Sequence, residues 1–122
     1  MSIFITGTDT GCGKTYVTAL LIRAIAIQGL QVAGMKPVAT GAVKLQDKLI
    51  HEDDQILLDA SNVVLEQKLR NSYLFTPACS PHIAATEANE PIRLDKILNA
   101  YNLCKTATDY LVVEGDGRWR AP

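Results

Sequence analysis

The segment Gly7-Thr8-Asp9-Thr10-Gly11-Cys12-Gly13-Lys14-Thr15 constrains the fold of this chain more than any other stretch. It follows a short apolar run, residues 2–6, with two isoleucines and an aromatic, which reads as a buried strand. After it, Val17, Leu20, Leu21, Ala24 and Ile25 recur at helical spacing, and Gly29 supplies a natural stop. A glycine-rich turn between a strand and a helix is the context of a phosphate-binding loop. Small residues let successive backbone N–H groups point at one anion, and the helix start adds unpaired donors and a positive dipole end. Lys14 would add a full charge near the β- and γ-phosphates, and the Thr15 hydroxyl suits Mg²⁺. The usual spacing, G-x-x-x-x-G-K-[ST], places its first glycine at position 8; here that residue is Thr8, and the glycine comes one residue early, at Gly7.

The rest of the chain continues the alternation. Residues 31–35 read as a second strand that Lys36-Pro37 ends, and residues 40–50 as a loop. Residues 53–60 read as a helix with Ile56, Leu57 and Ala60 on one side. Residues 71–91, which hold Pro77, Pro81 and Pro91, read as an irregular connection. Leu94, Ile97, Leu98, Tyr101 and Cys104 give a further helical stripe, and residues 109–113 a third strand. Strands alternating with helices specify an α/β domain with a parallel sheet and flanking helices. Ligands in such folds bind at the carboxyl ends of the strands. Polar clusters fall there three times: in residues 7–15, in 36–41 and in 114–117. The chain stops at Pro122, soon after the third strand. A three-stranded parallel sheet is poorly covered, so the domain over residues 1–122 is expected to be incomplete, or to close by oligomerising.

Three positions outside the glycine loop bear on chemistry. Lys36 ends the second strand, and is either a solvated lysine or a site cation. Asp53 and Asp54 open a helix, where capping and dipole compensation are the ordinary role of acids. Glu114 ends the apolar strand Leu111-Val112-Val113. A carboxylate there is costly unless it meets a cation or water, which points to a metal. His51 and His82 are weak signals, read as surface or hydrogen-bonded histidines rather than catalysts.

Composition closes off other classes. Twelve Lys+Arg against thirteen Asp+Glu give a formal net charge of −1, which argues against a nucleic-acid binder driven by bulk charge. No apolar run approaches the roughly 18 residues of a membrane span. The N-terminus lacks the basic region of a secretory signal. Cys12, Cys79 and Cys104 are odd in number and far apart, which suits reduced thiols in a cytoplasmic protein.

The chain resembles the dethiobiotin synthetases, ATP-dependent enzymes of biotin synthesis. The resemblance runs through Thr6-Gly7-Thr8-Asp9-Thr10, Gly13-Lys14-Thr15, Gly34-Met35-Lys36-Pro37-Val38-Ala39-Thr40-Gly41, Glu52-Asp53, Ser80-Pro81-His82-Ile83 and Val113-Glu114-Gly115. The early glycine is itself a family feature. The resemblance implies a P-loop NTPase-like fold and a ligase that carboxylates 7,8-diaminononanoate with CO₂ and closes the ureido ring through a carbamic–phosphoric anhydride. ATP would be the co-substrate and Mg²⁺ the cofactor. By the same resemblance, Thr10, Gly11, Cys12, Gly13, Lys14, Thr15, Tyr16 and Asp53 bind the nucleotide. Lys36 is the catalytic lysine, Thr10 and Thr40 lie on the substrate side, and Thr15, Asp53 and Glu114 hold the metal. Asp53 is preferred to Asp54 because the gapless count from Lys36 reaches it.

The family reads Glu-Gly-Ala-Gly-Gly-Trp after its third strand, where this chain has Asp116 and Arg118 in place of the alanine and the last glycine. The family continues further, with an adenine-reading segment, more strands and much of a homodimer interface, so this chain is expected to be the N-terminal half. Three other readings stay open: an inactive fragment that binds only phosphate or nucleotide, a related ATP-dependent amide-forming ligase, and a partitioning ATPase. The last expects a lysine at position 8 or 9, where this chain has Thr8-Asp9.

Overall fold

A computed structural model describes residues 1–6, 12–76 and 81–115, without the Cys12 side chain. Strand β1 (Ser2–Ile5) leads towards helix α1 (Cys12–Ile27), and Gly29 turns the chain at a φ of +84° into β2 (Val32–Met35). The last described strand, β7 (Tyr110–Glu114), inserts between the first two, giving the parallel order β1-β7-β2. Ser2 pairs with Leu111 and Ile5 with Glu114 on one side; Val32 pairs with Tyr110 and Met35 with Val113 on the other. The carboxyl ends of all three strands therefore lie side by side.

Alternation along the strands divides the core. Ala33, Met35, Leu111 and Val113 face helix α5 (Leu94–Thr106) and pack on its Ala100 and Cys104. Val32 and Val112 face the other way, onto Ala19 and Ile22 of α1 and Leu57 and Ala60 of α2 (Glu52–Ala60). Gly34 belongs to this second face. A Cβ there would lie 2.9 Å from both Ile22 Cδ1 and Leu57 Cβ, so the glycine lets α1 and α2 close over the strand. The period of two carries Lys36 and Glu114 to the same side.

At Lys36-Pro37 the backbone leaves the main sheet. The Lys36 N–H donates to the Arg70 carbonyl at 2.9 Å, and the Tyr73 N–H donates to the Pro37 carbonyl at 2.9 Å. Strand β3 (Val38–Thr40) then pairs in parallel with β6 (Tyr73–Phe75), and α4 (Pro81–Glu87) packs Ala84 and Ala85 against them. Strands β4 (Val43–Leu45) and β5 (Lys48–Ile50) form an antiparallel hairpin, and α3 (Gln67–Arg70) precedes β6.

Several expectations need correction. Residues 40–50 are a hairpin rather than a loop, because Gln46 and Asp47 both adopt positive φ, +49° and +65°, and make a two-residue turn without the usual glycine. Residues 71–91 contain β6 and α4; Pro81 sits at the first position of α4, where its missing N–H costs nothing. On α1 the buried face is Thr15, Thr18, Ala19 and Ile22, whereas Val17 and Leu20 are exposed. On α5, Leu94 and Leu98 are exposed and Ala100 joins Cys104 in the core. Among the described residues, no helix is long and apolar enough to cross a membrane.

Burial pushes the Cys104 thiol up, against an opposing pull from Arg70. Its thiolate is therefore scarcer than that of a free cysteine at pH 7–8, and mass spectrometry should show Cys104 alkylated only after unfolding. Gly34→Ala should lower stability in urea titrations by about 1–3 kcal/mol, the usual cost of overpacking.

Candidate active site

The site is organised by Glu114, which ends β7 and is fully buried. Its Oε1 accepts a hydrogen bond from the Thr15 hydroxyl at 2.9 Å, on the first turns of α1, and one from Lys36 Nζ at 3.2 Å. Lys36 Nζ also lies 3.8 Å from Asp53 Oδ2. Two carboxylates and one hydroxyl thus meet around a lysine that is itself 4% exposed. Lys14 Nζ donates to the Gly115 carbonyl at 2.6 Å, at the same strand end. Burying Glu114 is tolerable because an ammonium and a hydroxyl replace water at Oε1.

Glu114 Oε2 is buried and has no hydrogen-bond partner among the described residues. An orphaned oxygen on a carboxylate whose other oxygen meets Thr15 and Lys36 suits a hard cation. The residues fit Mg²⁺ with few protein ligands, an ion that keeps several waters and phosphate oxygens in its shell. No group of three or more His, Cys, Asp or Glu forms a metal cage among the described residues. A calcium- or zinc-like site built from protein alone is therefore not what the described geometry offers.

Asp53 and Asp54 are neighbours with different work. Asp54 is 1% exposed and takes a forked contact from Arg70, Nε to Oδ1 and Nη2 to Oδ2, both at 3.0 Å. Arg70 also donates through Nη1 to the Leu65 carbonyl. Asp54 is thereby committed to the fold, while Asp53 turns towards Lys36.

The segment after α3 also holds Lys36 by its backbone. The Arg70 carbonyl takes the Lys36 N–H, and Asn71 Nδ2 donates to the Lys36 carbonyl at 2.9 Å. His51 caps α2: its Nδ1 accepts the Asp53 N–H at 3.2 Å, and its Nε2 lies 2.8 Å from the Thr40 carbonyl.

Of the residues expected from sequence, Lys14, Thr15, Lys36, Asp53 and Glu114 come together, and Thr40 is joined to Asp53 through His51. Gly13 is exposed, and a Cβ built on it would meet nothing within 4 Å. The Tyr16 side chain points elsewhere, lining a groove between α1 and α2 with Leu20, Arg23, Ile56 and Asp59. Thr10 and Gly11, like Asp116 and Arg118, lie outside the described residues, as does the Cys12 side chain. Sequence reasoning missed Arg70 and Asn71, and read His51 as a hydrogen-bonded histidine without its partners. A lone arginine or asparagine carries no spacing signal, whereas His51 directly before three acids was a visible sign of a helix start.

A family model described as an AAA domain matches residues 1–122. The chain is 42% identical over 120 residues to an ATP-dependent dethiobiotin synthetase of Pseudoalteromonas translucida (strain TAC 125), covering 98% of this chain and 53% of that protein. It is 39% identical over 122 residues to an ATP-dependent dethiobiotin synthetase of Aeromonas salmonicida (strain A449), covering 99% of this chain and 54% of that one. The chain spans about half the length of these curated relatives.

The two acids should separate experimentally. Asp54→Asn strips the buried guanidinium of its partner charge and should cost about 3–5 kcal/mol in denaturant titrations. Asp53→Asn, more exposed, should leave the unfolding midpoint within about 0.5 kcal/mol of the parent.

Proposed function

The chain belongs to the AAA domain family, and from that premise we propose that it is the nucleotide-handling half of an ATP-dependent dethiobiotin synthetase. One observation carries the reading: Lys36, Asp53, Thr15 and an unsatisfied Glu114 oxygen converge where the helix after the glycine loop begins.

The substrates are ATP, CO₂ and 7,8-diaminononanoate. One amine adds to CO₂ and loses a proton, giving a carbamate. A carbamate oxygen attacks the γ-phosphorus of ATP and displaces ADP, leaving a carbamic–phosphoric anhydride. The second amine attacks its carbonyl carbon, closes the ureido ring and expels phosphate. Lys14 and the backbone of residues 10–15 bind the phosphates. Lys36 stabilises the negative charge of the carbamate and of the transferring phosphoryl group, from a position already aligned by Glu114 and Asp53. Thr10 and Thr40 offer hydroxyls on the substrate side. Thr15, Asp53 and Glu114 would hold Mg²⁺, which supplies charge neutralisation at the phosphates. A cytoplasmic homodimer, without nucleic-acid or membrane partners, accompanies this reading by the same resemblance.

Charge balance supports it. Lys14 and Lys36 offset Asp53 and Glu114, so the described cluster presents no net negative charge to an incoming triphosphate and its cation.

Calorimetric titration should show ADP binding that Mg²⁺ strengthens and that Lys14→Ala weakens about tenfold or more. Formation of dethiobiotin from ATP, bicarbonate and diaminononanoate, followed by mass spectrometry, should fall about 100-fold or more in Lys36→Arg, which keeps a charge beside Glu114 but moves the donor. Unchanged product formation by that variant, or nucleotide binding indifferent to Mg²⁺, sinks the proposal. A second reading is nucleotide binding without turnover, for which Lys14, Thr15 and Glu114 at one strand end suffice. Mg²⁺-dependent ADP binding with no dethiobiotin selects it.

A further inference from the structure

His51 was a weak signal in the sequence, yet both of its ring nitrogens face site residues. His51 is 8% exposed. Its Nε2 lies 2.8 Å from the carbonyl oxygen of Thr40, at the end of β3, and its Nδ1 lies 3.2 Å from the Asp53 amide nitrogen, in the first turn of α2. These neighbours leave a single consistent protonation pattern. A carbonyl can only accept, so Nε2 must carry a hydrogen; a backbone N–H can only donate, so Nδ1 must present its lone pair. Histidine is not among the favoured N-cap residues, and a serine, aspartate or asparagine would satisfy Asp53 equally well. None of those side chains reaches across to Thr40. The property of histidine used here is its span.

From this geometry we infer that His51, donating from Nε2 and accepting at Nδ1, is a positioning residue that fixes the spacing between Asp53 and Thr40. The inference rests on the reading above, in which Asp53 serves the metal and Thr40 the substrate side. His51 touches neither ligand. It ties the two halves of the site across the β4–β5 hairpin, which lies between them in sequence and whose strand β4 is exposed along its length. Without the tie, α2 would still be anchored to α3 by Asp54 and Arg70, but it would lose this hydrogen bond to the Thr40 end.

The ring divides into two testable parts, because asparagine reproduces the Nδ1 acceptor and glutamine the Nε2 donor. On the uniformly ¹⁵N-labelled chain, long-range ¹H–¹⁵N spectra should show His51 as the Nε2–H tautomer. His51→Asn should keep the Asp53 amide slow to exchange, while His51→Gln should speed its exchange about tenfold. Titrations with Mg²⁺ and ADP should follow Asp53, retained in His51→Asn and weakened about fivefold in His51→Gln. Titrations with 7,8-diaminononanoate should show the reverse order. A merely structural histidine would lower both affinities together with stability. An Nδ1–H tautomer, or two variants that behave alike in exchange and in both titrations, overturns the inference. If the parent chain binds neither ligand, the functional reading fails, and the tautomer and exchange data still decide whether His51 makes the tie.

Discussion

A single carboxylate, Glu114, holds three otherwise separate parts of this chain at one point. Its Oε1 collects the Thr15 hydroxyl from α1 and the Lys36 ammonium from the end of β2, and it sits at the last residue of β7. In a buried setting an ionised carboxylate is costly, and the cost is offset only when each partner is in place. The joint is therefore demanding: moving α1, β2 or β7 relative to the others strands a charge. Such a joint specifies one arrangement of the strand ends more sharply than the surrounding apolar contacts, which tolerate sliding.

The outer ring of contacts serves the same point. Lys36 has only one side chain to aim, but its backbone N–H and C=O are both held, by the consecutive residues Arg70 and Asn71. Arg70 is locked in turn onto Asp54, the residue after the site aspartate. The lysine and α2 are thus fixed to one another twice, through the 3.8 Å contact with Asp53 and through the Arg70 fork. A buried lysine so restrained loses the side-chain freedom that ordinarily makes lysine a mobile surface charge. This is what separates Lys36 from the solvated lysine that its sequence position alone allowed.

The sequence made the three strands of the central sheet, the helix after Gly13 and the acid at the end of β7 legible, because each depends on local pattern. An apolar run ending in Glu114 and a period change after Gly13 are visible in a window of ten residues. What escaped depends on tertiary partners or on unusual local chemistry. The hairpin turn at Gln46-Asp47 uses positive φ without glycine. Helix α4 begins on Pro81, a residue that signals a break unless its neighbours show it to be a first turn. Helix α1 is apolar on nearly every side, so no periodicity could say that Val17 and Leu20 stay outside while Thr15 and Thr18 turn in. The jobs of Asp53 and Asp54 were distinguishable only by counting from Lys36. What separates them physically is Arg70, sixteen residues beyond Asp54.

The order of assembly follows from the topology. The first two strands are not neighbours; β7, from the far end of the described chain, lies between them. Until it docks, β1 and β2 have no pairing to each other, Thr15 and Lys36 have no common acceptor, and Val112 is missing from the core beneath α1. Contacts of this sequence separation carry the largest loop-closure cost and form late. The insertion of β7 therefore supplies both the middle of the central sheet and the acceptor shared by Thr15 and Lys36. A ligand that grips the three strand ends together binds only the completed sheet, so its binding free energy adds directly to the stability of the strand insertion.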